Sequence, residues 1–150
     1  MVASYYFSRH DGTTIITCSY EARKFGIKTG MKLYEAKKLS PILIHAPSRP
    51  HRYAQVSKSI MDALVSITPD IEIFSVDECF LDVTSCQRLY DPIKAAQKAK
   101  ALVYKVSGLH CSVGVSGDKT TAKYAAQLQK PNGFTVIYPD KAKERLRHVP

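Results

Sequence analysis

The sequence lacks the features of membrane, secreted and repetitive proteins. No apolar run approaches the ~20 residues that a membrane helix needs, and residues 1–10 lack the basic start and the long apolar stretch of a secretory signal. Internal repeats, low-complexity tracts and long Pro/Gly/Ser linkers are also missing. These absences predict a cytoplasmic globular chain with no membrane partner, built as one domain with a small subdomain at its start.

Motifs for transition metals and for redox chemistry are missing as well. The four cysteines are too scattered for a CxxC pair and fit no zinc framework. The five histidines form neither an HxxxH nor an HExxH pair. We therefore expect reduced cysteine thiols and no transition-metal site.

Negative charge is scarce relative to positive charge. Lysine and arginine together number 22 and aspartate and glutamate 13, which leaves a formal net charge of +9. Such an excess favours a polyanionic partner, either a nucleic acid or a nucleotide phosphate, and composition does not choose between them. Apolar residues make up 45% of the 150 residues and charged residues 23%, which is typical of a globular protein with one ordinary core.

Residues 1–47 are predicted to form a compact basic unit. Runs of β-branched and aromatic residues flank Asp11-Gly12, and this dipeptide is a hairpin signal. The predicted elements are strands over 2–8 and 13–18, short helices over 21–25 and 32–39, and a strand over 42–45.

Residues 48–150 are predicted to alternate helices with short strands. A helical apolar spacing begins at Tyr53, and Asp91-Pro92 has the N-cap and the first-turn proline of a second helix. The predicted elements are helices over 53–67, 92–106 and 120–129 and strands over 71–75, 79–83, 111–115 and 134–138. This αββαβαβ order predicts an α+β fold with a mixed sheet.

Three carboxylates, Asp77, Glu78 and Asp82, interrupt the otherwise apolar hairpin. Acids are poor strand formers, so their presence here needs an explanation. A tight turn or a bulge can bring Asp77 and Glu78 to one side of the hairpin, where their oxygens suit Mg²⁺. Two Mg²⁺ ions about 4 Å apart can activate an attacking hydroxyl and stabilise a leaving pyrophosphate. The alternative is a solvated hairpin tip, and Asp82 is better explained as a strand-end or capping acid.

Two predicted helix starts carry groups that can bind phosphate. Tyr20 and Arg23 lie within one turn of the first of these starts, so a hydroxyl and a guanidinium can converge there. Lys119 and Lys123 are four residues apart after a predicted strand, so both ammonium groups can lie along one phosphate chain. The segment that begins at Gly114 does not match GxxxxGK[ST] and is not a P-loop. The alternative at both places is a solvated basic surface.

Four segments together resemble the Y-family translesion DNA polymerases, most closely their bacterial polymerase IV type. They occur in that family's order and approximate spacing, and they read YEARKFG at 20–26, SVDECFLD at 75–82, GVSGDKTTAK at 114–123 and KPNG at 130–133. The resemblance implies that Asp77 and Glu78 are the catalytic carboxylates that hold Mg²⁺, with Mn²⁺ as a substitute.

The same resemblance implies a set of nucleotide-binding residues. Tyr20, Arg23 and Lys123 match residues that contact the triphosphate of the incoming dNTP, and Thr17 would lie near the nascent base pair. We add Lys119 to the triphosphate ligands because it lies one helical turn before Lys123. Primer–template DNA and a dNTP are the expected partners.

The fold that the resemblance implies is a ferredoxin-like palm over residues 48–150, with a mixed sheet packed by helices, plus a small fingers subdomain over 1–47. The first palm strand, which carries a further metal-binding aspartate in the family, has no match upstream of Tyr20, and the thumb and little-finger domains have none after Pro150. Asp11 lies in a predicted turn and is a poor substitute. We expect Val2–Ser8 or another chain to pair with the sheet edge that this leaves open, the latter by self-association.

Three functions follow from these observations. The first is a truncated template-directed DNA polymerase core for translesion synthesis and DNA repair, which adds dNTPs to a primer but has little turnover alone. The second is a non-catalytic module that binds DNA or a protein through its +9 charge, without needing Mg²⁺ or Asp77. The third is a nucleotide cyclase-like palm, because similar sandwiches host other two-metal reactions.

Overall fold

The computed structural model describes residues 2–8, 12–86 and 91–147. The chain divides into two compact units, Met1–Pro50 and His51–Pro150. Each unit is described by itself. The turn predicted at Asp11 lies outside the described residues.

The described residues of the first unit form three strands and two short helices. They are β1 (Val2–Ser8), β2 (Gly12–Cys18), α1 (Tyr20–Lys24), α2 (Leu33–Leu39) and β3 (Ile44–Pro47). The strand order is β2-β1-β3, in which β1 pairs antiparallel with β2 and parallel with β3. The two strands predicted to form a hairpin therefore do pair with each other.

This pairing contradicts one expectation from the sequence. Val2–Ser8 was expected to fill the open edge of the second sheet, but β1 is the central strand of its own sheet and has a neighbour on each side. β2 pairs with Ala3–Ser8 of β1, and β3 pairs with Val2–Tyr5 on the other side, so β1 is used within its own sheet. The prediction that Val2–Ser8 pairs with the edge of the second sheet is wrong.

Small side chains bring α1 and α2 close to β2 in the first unit. Ile15 of β2, Ala22 of α1 and Ala36 of α2 are fully buried in one apolar cluster. Ser19 caps α1, since its Oγ accepts a hydrogen bond from the Ala22 backbone N at 3.3 Å. Gly26, at φ +80°, follows α1 in the left-handed conformation that glycine adopts without a steric penalty. The cluster and the cap fix the junction between β2 and α1.

In the second unit, the part of the chain that the structure describes forms four helices and four short strands. They are α3 (Pro50–Leu64), β4 (Ile71–Ser75), β5 (Glu78–Leu81), α4 (Pro92–Ser107), β6 (Val113–Val115), α5 (Lys119–Leu128), β7 (Phe134–Val136) and α6 (Pro139–Leu146). This order confirms the predicted αββαβαβ sequence and adds α6. The α+β fold class is confirmed.

Sheet pairing in the second unit occurs in two separate pieces. β4 pairs antiparallel with β5, and β6 pairs parallel with β7. Both senses of pairing expected of a mixed sheet are present, but within the described ranges no ladder joins the two pieces. Cys79 of β5 and Cys111 before β6 pack against the same core residues of α3 and α4, which are Met61, Leu64, Ala99 and Val103. The two pieces therefore share one core.

Gly114 lets α5 approach β6 closely. A Cβ at Gly114 would lie 2.0 Å from the backbone O of Ala122 and 2.5 Å from the backbone N of Ala126. Only a residue without a side chain permits this packing. Ala125 and Thr121 of α5 are buried as a result, and the start of α5 is held beside the strands.

None of the helices in the described parts of the chain combines the length and apolar character that crossing a membrane requires.

Candidate functional site

The carboxylates Asp77 and Glu78 lie at the tip of the β4–β5 hairpin. β4 ends at Ser75, Val76 and Asp77 form the turn, and Glu78 begins β5 opposite Ser75. The register shifts between Ile73 and Ser75, which is the kind of bulge that was expected next to these acids. Ser75 Oγ donates a hydrogen bond to Asp77 Oδ1 at 2.7 Å. The turn thus holds an exposed carboxylate next to a half-buried one.

Lys123 of α5 reaches this hairpin tip. Its Nζ lies 3.0 Å from Glu78 Oε2 and 4.0 Å from the centroid of the Phe74 ring. Phe74 in turn makes an edge-to-face contact with Phe80, with 6.0 Å between ring centroids. The ammonium of Lys123 therefore has a carboxylate and an aromatic face as neighbours on one hairpin.

Lys119 contacts the same hairpin at a different acid. Its Nζ forms a salt bridge with Glu72 of β4. Because Lys119 and Lys123 are four residues apart on α5, their ammonium groups lie on one face of the helix. This face, Lys119 and Lys123, is directed at the β4–β5 hairpin, as the sequence spacing predicted for a paired cationic surface.

The start of α5 is fixed by its N-cap. Asp118 Oδ1 accepts a hydrogen bond from the Thr121 backbone N at 2.8 Å, and this bonding lowers the pKa of Asp118 below its ordinary value. Thr121 itself is buried. The cap therefore sets where Lys119 and Lys123 leave the helix.

Asp82 is a strand-end acid, as the sequence predicted. It follows β5, and its Oδ1 accepts a hydrogen bond from the Thr84 backbone N at 2.8 Å. Bonding to Thr84 and, to a smaller extent, the charge of Lys119 lower the pKa of Asp82. This carboxylate is a strand-end acid with a local hydrogen-bond partner, whereas Glu78 contacts Lys123 from a distant helix.

The remaining predicted nucleotide ligands lie together in the first unit. Thr17 is exposed on β2, and Tyr20 and Arg23 are exposed on α1. Arg23 Nε donates a hydrogen bond to the Cys18 carbonyl at 3.3 Å, and its guanidinium carbon lies 5.5 Å from the centroid of the Tyr20 ring. The junction of β2 and α1 thus presents a hydroxyl, a phenol and a guanidinium.

The donor set at the hairpin suits a hard divalent cation shared with a ligand. Within residues 2–8, 12–86 and 91–147, no three side chains among His, Cys, Asp and Glu come together as a closed metal cage. Mg²⁺ does not need such a cage, because it is commonly held by one or two carboxylates together with substrate phosphates and waters. Glu78 already accepts a cation, the Lys123 ammonium, at 3.0 Å. The residues present therefore fit Mg²⁺ at Asp77 and Glu78.

Phe74 is the member of the site that the sequence analysis missed. Its side chain is 60% exposed, although it stands in an apolar strand run. An aromatic residue next to an acidic hairpin tip, with lysines on a later helix, is the signal that could have identified it.

Comparison with known proteins gives consistent matches. The IMS family, impB/mucB/samB, matches residues 2–127. DNA polymerase IV from Clostridium kluyveri is 40% identical over 139 residues, which are 91% of this chain and 34% of that protein. DNA polymerase IV from Saccharolobus solfataricus is 37% identical over 140 residues, 93% of this chain and 40% of that protein.

Solved structures of polymerases share the fold. A ternary insertion complex of Dbh DNA polymerase superposes with a TM-score of 0.89 at 34% identity, over 97% of this chain and 43% of that one. DinB from Sulfolobus solfataricus gives a TM-score of 0.88 at 32% identity, with the same coverage of both chains. The chain spans 34% to 40% of the length of the two relatives named above. It belongs to the impB/mucB/samB family, and its resemblance to the Y-family DNA polymerases is confirmed.

Proposed function

We propose that this chain is the fingers and palm portion of a template-directed DNA polymerase that acts in translesion synthesis. The observation that carries the proposal is the arrangement at the hairpin tip. Asp77 and Glu78 are adjacent at this tip, Glu78 contacts Lys123 of α5, and Lys119 of the same helix contacts Glu72 of the hairpin. Carboxylates that can bind a metal beside cations that can bind phosphates are what nucleotidyl transfer requires.

Each unit has a distinct part in this proposal. Residues 1–47 act as fingers, in which Tyr20 and Arg23 bind the dNTP triphosphate and Thr17 lies beside the nascent base pair. Residues 48–150 act as palm, in which Lys119 and Lys123 bind phosphate oxygens. The exposure of Thr17, Tyr20 and Arg23 at one junction supports the first assignment. The salt bridges of Lys119 and Lys123 with the β4–β5 hairpin support the second.

The chemistry of the palm site comes mainly from positioning and charge. DNA polymerases require a divalent metal in general, and a Mg²⁺ ion at Asp77 and Glu78, or Mn²⁺ in its place, supplies positive charge to the attacking 3′ hydroxyl and the leaving pyrophosphate. Lys119 and Lys123 hold the phosphate chain, which keeps the α-phosphate in line with the primer hydroxyl. Primer–template DNA and a dNTP are the proposed partners, and the cytoplasmic location stays a prediction.

Equilibrium binding of a labelled dNTP, with and without Mg²⁺, tests this proposal. Asp77→Asn removes a carboxylate charge at the hairpin tip, so we expect metal-dependent dNTP binding to weaken at least about tenfold. Asp82→Asn is the matched control, since Asp82 stands five residues later and its carboxylate accepts a hydrogen bond from the nearby Thr84 backbone N. Equal effects of the two substitutions would contradict the proposal.

Primer extension with excess protein separates catalysis from binding. We expect little or no extension by this chain alone, because within the described residues the hairpin site has two carboxylates and no third. If the unaltered chain extends the primer efficiently and Asp77→Asn abolishes the extension, the expected low turnover is wrong. The same result would support a polymerase site at the hairpin tip. DNA binding that ignores both Mg²⁺ and Asp77, and that falls steeply with salt, would instead support the non-catalytic module.

A further inference from the structure

Lys123 contacts a proposed metal ligand rather than standing free for a phosphate. Its Nζ is 3.0 Å from Glu78 Oε2, and the two side chains are 37% and 36% exposed. The same ammonium is the proposed triphosphate ligand. One cation therefore has two competing anionic partners, the carboxylate in the free protein and the phosphate in the complex.

We propose that Lys123 is an exchangeable counter-ion of Glu78, which a divalent metal displaces and which then turns to the triphosphate. This inference rests on the proposed function, since it assigns a resting state to the same site. In the free protein, Lys123 neutralises Glu78 and opposes metal binding. When a nucleotide and its metal arrive together, the carboxylate gains the metal and the ammonium gains the phosphate.

The electrostatics of the pair make this exchange inexpensive. A metal ion and an ammonium group carry like charge and repel each other at one carboxylate, so a metal weakens the Lys123–Glu78 contact. The pair is partly solvated, and salt bridges of this kind contribute little to stability. Breaking the contact therefore changes affinity by only a few-fold, and a phosphate group can offset it with a charge-assisted hydrogen bond.

Phe74 is the positioning residue for this exchange. Its ring centroid lies 4.0 Å from Lys123 Nζ, well within the range of a cation–π interaction. The edge contact with Phe80 holds the ring in place. Because the ring carries no net charge, it attracts the ammonium only weakly. It can hold Lys123 beside Glu78 and still let the ammonium move to a phosphate. Lys119 differs, since its partner is Glu72 and not a proposed metal ligand.

Mn²⁺ binding in the absence of nucleotide, followed by the electron paramagnetic resonance of free Mn²⁺, tests the exchange. Lys123→Met removes the competing cation, so we expect Mn²⁺ affinity to rise about two- to fivefold. The affinity for the Mg²⁺–dNTP complex should fall in the same variant, because a phosphate ligand is lost. General damage to the fold would lower the affinity for Mn²⁺ and the affinity for the Mg²⁺–dNTP complex. A rise in the first together with a fall in the second therefore identifies the exchange.

Three further variants serve as controls. Lys58→Met removes the same charge from an exposed pair with Asp62 on α3, and we expect Mn²⁺ affinity to stay unchanged. Lys123→Arg keeps the charge and should keep the low Mn²⁺ affinity. Phe74→Leu removes the aromatic face and should raise Mn²⁺ affinity by less than Lys123→Met, whereas Phe74→Tyr should behave like the unaltered protein.

Two outcomes would overturn the inference. One is equal Mn²⁺ affinity in Lys123→Met and Lys58→Met, and the other is no Mn²⁺ binding by any variant. Failure here remains distinct from failure of the proposed function, which is measured by the effect of Asp77→Asn on dNTP binding. If Asp77→Asn weakens dNTP binding while Lys123→Met leaves Mn²⁺ affinity unchanged, the polymerase site stands and the exchange is wrong.

Discussion

At residue 100, a lysine of α4 is surrounded by carbonyl oxygens and has no acid among its described partners. The three N–H groups of Lys100 Nζ are shared among four oxygens, which are the backbone O of Cys111 at 2.5 Å, of Asn132 at 2.9 Å and of Gly133 at 3.2 Å, and Asn132 Oδ1 at 2.6 Å. This single side chain ties α4 to the segment before β6 and to the turn before β7.

Lys100→Met should therefore destabilise the protein. The substitution keeps the length of the side chain but leaves these carbonyl oxygens without their charged donor, which costs about 1.5–3 kcal/mol. Urea unfolding measures the change. Lys105→Met is the control, because Lys105 is exposed on the same helix, and its free energy of unfolding should change by less than about 0.5 kcal/mol. A similar loss in both variants would show that the carbonyl cluster contributes nothing specific.

At the residue scale, the sequence predicts local hydrogen bonds better than distant ones. Asp91 was expected to cap α4, and its Oδ1 accepts hydrogen bonds from the backbone N of Ile93 at 2.9 Å and of Lys94 at 3.2 Å. The rule succeeds because the cap and its donors are neighbours in the chain. Lys100 and Phe74 could not be assigned in the same way, because their partners come from distant segments that only folding brings together.

At the scale of elements, apolar runs and turn signals predict where an element lies but not how far its side chains are buried, since three of the five residues of β4 are exposed. β4 was predicted with the bounds observed, Ile71–Ser75, because a turn with acids follows it. The helix α6 was missed, since it has no buried residue in the structure and its sequence lacks an apolar stripe. Its start does have a recognisable signal, Pro139 in the first turn after Tyr138.

Gly114→Ala tests how far the contact between β6 and α5 positions the site. The added methyl group would lie 2.0 Å from the Ala122 carbonyl O, so α5 must move away from β6. We expect a loss of about 1–3 kcal/mol in stability together with weaker dNTP binding, because Lys119 and Lys123 move with the helix. Gly108→Ala is the control, since Gly108 ends α4 at φ +69° with open space around it. It should lower stability without changing dNTP affinity, and equal dNTP affinities in the two variants would contradict this role of Gly114.

At the scale of the whole molecule, the family and the α+β class could be read from the sequence, but the pairing of the strands could not. Three of the four motifs lie within residues 2–127, which the family model matches, and KPNG at 130–133 follows that segment. Strand pairing depends on which segments meet in the folded chain. The sequence of β1 is compatible with pairing in either sheet. The structure places it between β2 and β3, in an antiparallel ladder over Ala3–Ser8 and a parallel ladder over Val2–Tyr5.

This arrangement leaves the predicted self-association as a question about β5 and β6. In the described ranges β5 pairs with β4 alone and β6 with β7 alone, so each has one row of backbone groups without a ladder partner. Such rows accept a further strand, and a second copy of the chain can supply it. We expect the mass measured by sedimentation to rise above 16.7 kDa with concentration. Amide hydrogen exchange should slow at the same time over residues 78–81 and 113–115. Residues 3–5 of β1, which are paired on both sides, are the internal control and should not change. A constant monomer mass, or slowing that includes β1 equally, would contradict association through these edges.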